Sequence, residues 1–190
     1  NVDNLAEEIR AAKHLLRGKR LVIHPQAAVV QEYHRTTEGN ELLRIGSTMK
    51  GTGAALCDKV MRKQVTVRDN ADEVINMIGR ATMEADMMLS VSSKIYDQAV
   101  DMSEKMIVEG AQGFSLGVHT DFYPYTTSRD VSTAQLLADC RIPFPGRGNQ
   151  LRVVGVCRTF PIRVANRPMP YDPTHTYSSG GCYDDQKELD

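Results

Sequence analysis

The chain has 190 residues, 41% apolar and 25% charged, which is long enough for a sizeable core and ordinary for a globular protein. With 23 Lys and Arg against 24 Asp and Glu, it carries no global basic field for nucleic acid or a membrane surface. No apolar run approaches the ~20 residues of a membrane helix, and the scattered Cys57, Cys140, Cys157 and Cys182 form no C-x-x-C pair, which argues for reduced thiols in a cytoplasmic protein over zinc or a disulfide framework.

The opening Asn1-Val2-Asp3-Asn4 has no initiator Met and no signal-peptide pattern, so it reads as an internal cut. Leu5, Ile9, Ala12 and Leu16 fall on one face of a helix to about Arg17, with Gly18 as its stop. Arg20 to His24 reads as a short buried strand closed by Pro25, and Gln26 to about Thr37 as a second helix. Glycines punctuate Gly46 to Gly53. Asn70 is placed to cap a helix from Ala71 whose apolar side is Val74, Ile75, Ile78, Ala81, Ala85, Met88 and Leu89, with helical pattern continuing toward Met102. The methionines from Met77 to Met88 read as core filling. Lys105–Glu109 and Arg152–Val156 are expected strands, and Ser132 to Cys140 a short helix. The end of the chain, 166–190, reads as an irregular Pro/Gly/Ser-rich excursion. Alternating helices and short buried strands predict an α/β protein with a largely parallel central sheet flanked by helices.

Ligands in parallel α/β sheets gather beyond the carboxyl ends of strands, and two segments have that placement. Val108-Glu109-Gly110-Ala111-Gln112-Gly113 runs a strand into glycines flanking a Gln, which offers a donor and an acceptor to a purine edge. Its continuation, Tyr123-Pro124-Tyr125-Thr126-Thr127-Ser128, ends in three hydroxyls before a helix. Such hydroxyls suit phosphate, and they also serve as local caps. Ile45-Gly46-Ser47-Thr48-Met49-Lys50-Gly51-Thr52-Gly53 lacks the Gly-Lys-Ser/Thr ending of a P-loop. It is a glycine-flexed loop carrying Ser47 and Thr48, with Lys59, Arg62 and Lys63 downstream, and on the residues alone it reads first as a surface loop beside a solvated basic face.

Taken together, these segments resemble the adenylosuccinate synthetase family. Val108–Gly113 followed by Phe122–Ser128 is similar to the family signature in order and spacing. Ile45–Gly53 followed by Asp58-Lys59-Val60-Met61-Arg62 resembles a second signature, and Val154–Val164 a third. The three cover roughly Gly18 to Val164 in the family's order. Gly113-Phe114-Ser115-Leu116 and Thr127-Ser128-Arg129-Asp130 resemble archaeal and phage forms. Arg158–Val164 and the ending Tyr183–Leu189 are similar to phage 2-aminoadenylosuccinate synthetases acting on dGMP.

The resemblance implies an adenylosuccinate synthetase-like fold, of which residues 1–190 are the central part of a single domain, incomplete at both ends. By position, Ser47, Thr48 and Thr127 match residues that hold the nucleotide 5′-phosphate, and Gln112 the glutamine beside the base, where it stabilises charge on oxygen 6. Arg62 matches an arginine that reaches the neighbouring subunit's nucleotide, which implies a homodimer with shared sites. Arg163 and Val164 match the segment lining the ribose. The implied reaction joins L-aspartate to C6 of a purine nucleoside monophosphate, using Mg²⁺ and ATP or GTP; dGMP is the preferred substrate and IMP with GTP the alternative. A non-catalytic nucleotide-binding remnant is the reading from another class. The family's phosphate loop and catalytic acidic residue are expected before Asn1, and its triphosphate-base motif and aspartate loop after Asp190. The 190-residue segment alone is therefore expected to be inactive. His119 lies in the signature loop, where the surrounding Gly117, Val118 and Thr120 depart from the family pattern; it reads as a polar loop residue.

Overall fold

The computed structural model of the protein describes residues 1–42, 45, 47–113, 116–144, 150–157, 168–169 and 172–176. The chain divides into two compact units, Asn1–His34 with Ala54–Met106 and Arg35–Gly53 with Ile107–Asp190. Helices α3 (Glu32–Glu41) and α4 (Thr52–Val60) contribute residues to both.

The first unit is built on α1 (Val2–Ala11), α2 (Lys13–Leu16), β1 (Arg20–Ile23), α5 (Ala71–Glu84), β2 (Met88–Val91) and α6 (Ser93–Asp101). Asn1 caps α1 by accepting from the Asn4 N–H at 2.9 Å. Gly18, at φ +70, ends the helical segment in the left-handed conformation that a glycine adopts without strain. Strands β1 and β2 pair in parallel, Arg20 to Met88 through Ile23 to Val91. Helix α5 supplies the crossover between them and buries Val74, Ile78, Ala81, Thr82 and Ala85, a stripe at helical spacing, while α1 packs against it through Ala6 and Ile9. Val29 and Val67 complete the buried cluster. They are held by antiparallel bonds, Val29 N–H to Val65 O at 3.0 Å and Val67 N–H to Ala27 O at 2.9 Å.

The second unit contains α7 (Thr133–Asp139), capped by Ser132, whose hydroxyl accepts from the Gln135 N–H. It also contains the antiparallel pair β3 (Pro168–Met169) and β4 (Asp172–Thr176). That pair lies within the 166–190 segment, which sequence reasoning left irregular.

Several expectations are corrected. The second helix starts at Glu32, not Gln26, because residues 27–29 pair with 65–67 instead. Met88 and Leu89 are strand, not helix: Asp86, at φ +53, ends the helical run, and the backbone enters the β1 ladder. Lys105–Glu109 and Arg152–Val156 form no strand, for among the described residues neither finds a ladder partner; Ile107 and Val156 are each 97% exposed. Of the methionines expected as core filling, Met87 packs on the core, whereas Met83 and Met88 face out. Within the described residues no helix is long and apolar enough to cross a membrane.

Candidate functional site

The glycine loop at 47–53 is organised by a side chain outside it. Glu38, on α3, is almost wholly buried. Its carboxylate accepts the Gly51 N–H at 2.8 Å, the Gly53 N–H at 2.6 Å and the Ser47 hydroxyl at 3.2 Å. A buried carboxylate needs such donors, and charge-assisted bonds of this length are strong. The Ser47 Oγ also accepts the Met49 N–H at 3.1 Å. The turn this makes needs Met49 at φ +54 and Gly51 at φ +79, the second of which favours glycine. Thr48, at the crest, is exposed, and its hydroxyl makes no hydrogen bond among the described residues.

A second loop carries Gln112 and Thr127 in the same unit. Gly110 lies so close to α7 that a Cβ there would come within 2.8 Å of a Leu136 methyl. The Gln112 side chain is exposed. Beyond it the chain doubles back: the Thr127 N–H donates to Leu116 O at 2.8 Å and the Val118 N–H to Arg129 O at 3.1 Å. Buried Gly117 sits against Val131. Asp130 closes the loop by accepting from the Ser132 hydroxyl at 2.8 Å and the Ser132 N–H at 3.0 Å. Those two bonds, chiefly, hold the Asp130 carboxyl below its usual range, with a smaller contribution from His119.

The two loops meet at Gly53. A Cβ on that residue would lie 3.1 Å from Glu38 Oε1 and 3.2 Å from Ser128 Oγ. The Ser47–Thr48 loop and the Thr127–Ser128 turn thus share one glycine contact, and both present hydroxyl groups. Gln112, on the second loop, makes no side-chain hydrogen bond among the described residues. Arg62 lies in the other unit; it is exposed, at φ +58, and its guanidinium donates to Val60 O at 3.0 Å. Arg163 and Val164 lie outside the described residues. Sequence reasoning missed Glu38, whereas Ser128 was among the three hydroxyls it singled out. Glu38 gives little signal, since one acidic residue within a helix usually faces solvent; only the neighbouring Gly39 hints at close packing.

A polar cluster in the first unit surrounds His34, which is fully buried. Its Nδ1 accepts the Gln31 N–H at 2.8 Å and its Nε2 meets Asp58 Oδ2 at 3.1 Å, which places the ring proton on Nε2. Tyr33 donates to the same oxygen at 2.5 Å. The Tyr33 bond, then the His34 bond, hold the Asp58 carboxyl below the usual range, and the Tyr33 phenol is raised by its bond to Asp58. These bonds give His34 a structural role. Among the described residues no three His, Cys, Asp or Glu side chains converge as metal ligands.

Residues 70–179, more than half of the chain, match the family model for adenylosuccinate synthetase. The chain belongs to the adenylosuccinate synthetase family. Among individual synthetases, it is 36% identical to the N6-succino-2-amino-2′-deoxyadenylate synthase of Acinetobacter phage SH-Ab 15497, over 100% of this chain and 52% of that one. The corresponding enzyme of Cyanophage S-2L is 40% identical, covering 99% of this chain and 48% of its own. The adenylosuccinate synthetase of Pyrococcus horikoshii is 32% identical over 80% of this chain and 41% of its own. The solved structure of the Cyanophage S-2L succinoaminodeoxyadenylate synthetase, bound to dGMP and to dATP as an energy donor, superposes with a TM-score of 0.60 at 33% identity, covering 75% of this chain and 38% of that one. The chain spans about half the length of the curated relatives it matches.

Proposed function

We propose that this chain belongs to a carbon–nitrogen ligase that joins L-aspartate to C6 of dGMP, in the manner of the phage synthetases. In this reading a nucleoside triphosphate, ATP or GTP, phosphorylates the purine 6-oxo group. The aspartate α-amine then attacks C6 and the phosphate leaves. Gln112 donates to oxygen 6 as charge builds there, the type of stabilisation that contributes most when the donor is already positioned. The Ser47–Thr48 loop and Thr127 hold the 5′-phosphate, and Arg163 and Val164 line the ribose. Arg62 of the partner subunit completes the site, so the working form is a homodimer. Its place is the cytoplasm of the infected host cell.

What carries the reading is the whole-chain likeness to phage synthases, at 36–40% identity, against 28–32% over shorter stretches for archaeal adenylosuccinate synthetases. The contact of both hydroxyl loops at Gly53 supports the phosphate assignment. Aspartate-dependent phosphate release by the complete protein tests it, with dGMP and IMP compared at equal concentration. Release favouring dGMP is expected; preference for IMP would replace this reading with the conventional synthetase. Release by the 190-residue segment alone would overturn its expected inactivity.

A further inference from the structure

Glu38 has no part in the roles assigned so far, yet its carboxylate accepts from Ser47, Gly51 and Gly53. We infer that Glu38 is a positioning residue of the nucleotide site: its carboxylate takes the anion position at the start of α4 and occupies the Gly51 and Gly53 amides, so hydroxyls hold the 5′-phosphate. The inference rests on the proposed function and deepens it.

The N-terminus of a helix and the N–H groups of a glycine loop form the usual cradle for a phosphate. Here the Gly51 and Gly53 amides already bond a carboxylate, at 2.8 and 2.6 Å. A phosphate cannot enter that position without meeting a buried like charge. Ser47 is committed as well. An ionised carboxylate can only accept, so the Ser47 hydroxyl gives its one proton to Glu38, while its oxygen receives the Met49 N–H. A phosphate oxygen needs a donor, and Ser47 has none left. Thr48 stands one residue on, exposed, with its hydroxyl proton uncommitted among the described residues. Glu38 and Ser47 therefore build the turn that presents Thr48, and Gly53 brings that turn against Ser128, beside Thr127.

Amide spectra of the complete, isotope-labelled protein test this without a substitution. On addition of dGMP, the Gly51 and Gly53 amide resonances should hold their positions while the Thr48 and Thr127 signals move. A large shift of both glycine amides on addition of dGMP or of inorganic phosphate would overturn the inference. In steady-state assays, Glu38→Gln should raise KM for the nucleoside monophosphate about tenfold, as expected for weakening charge-assisted hydrogen bonds. KM for aspartate and for the triphosphate should stay unchanged, and Glu38→Asp should recover part of the loss. Ser47→Ala, which keeps the carboxylate and both amide bonds, should show a smaller rise confined to the same KM. Equal rises in all three KM values, or none in any, would overturn the assignment. Wild-type protein that binds neither dGMP nor IMP would instead defeat the proposed function.

Discussion

A methyl group at residue 53 would meet the Glu38 carboxylate and the Ser128 side chain at once, at 3.1 and 3.2 Å. The Glu38 carboxylate cannot retreat freely, because the Ser47, Gly51 and Gly53 donors hold it. Gly53→Ala should therefore separate the two hydroxyl loops, at an overpacking cost of about 1–3 kcal/mol. The expected result is dGMP affinity at least about tenfold weaker, the ratio that 1.4 kcal/mol represents, by titration calorimetry. Unchanged affinity would mean that the contact does not shape the site. The glycine loop was legible in the sequence because glycines and hydroxyls announce backbone bends. Its organiser was not, since nothing in the sequence tells which glutamate of a helix is buried and which are solvated.

Asp58 makes a pH-dependent contribution whose sign follows from its partners. Bonds from Tyr33 and His34 lower its folded-state pKa, so the unfolded chain takes up the proton first. The stabilisation is thus present above the ordinary carboxylate pKa, about 3.9, and is lost as pH falls through the depressed folded value. Melting midpoints measured from neutral pH down into that acid range should fall more steeply for wild type than for Asp58→Asn. Parallel curves would show that another group dominates acid unfolding.

Helix α5 shows how much periodicity alone conveys. Of the apolar side expected from spacing, Val74, Ile78, Ala81 and the capping Ala85 are buried, whereas Ile75 faces out. Ile78 is fully buried, so Ile78→Ala should lower unfolding free energy by about 2–5 kcal/mol in urea titrations. Met83 lies on the same helix at 80% exposure, and Met83→Ala should leave stability within about 0.5 kcal/mol of wild type. The opposite order would place the core elsewhere. Strands were harder to read, because a strand exists only with a partner. Arg20–Ile23 was found since its apolar run meets β2, whereas Lys105–Glu109 and Arg152–Val156 have the same kind of run and no ladder among the described residues. Met88 and Leu89 continue the apolar pattern of α5, so periodicity carried the helix past its true end, and only Asp86 marks the break.

On the scale of the whole molecule, a shared site makes a prediction that no single-subunit account does. The Arg62 guanidinium spends one donor on Val60 O and keeps others for a ligand. If it serves the partner's nucleotide, Arg62→Ala and Thr127→Val damage opposite halves of one composite site. Each variant homodimer should then be nearly inactive. In a mixed dimer both lesions fall in one of the two sites, and the other site keeps Thr127 from one subunit and Arg62 from its partner. Random exchange makes half the dimers mixed, each with one working site, so an equal mixture should recover about a quarter of wild-type activity, as the symmetry of a closed dimer requires. Phosphate release assayed after subunit exchange in the complete protein reads this directly. No recovery beyond the sum of the two variants would confine Arg62 to its own subunit and remove the case for shared sites.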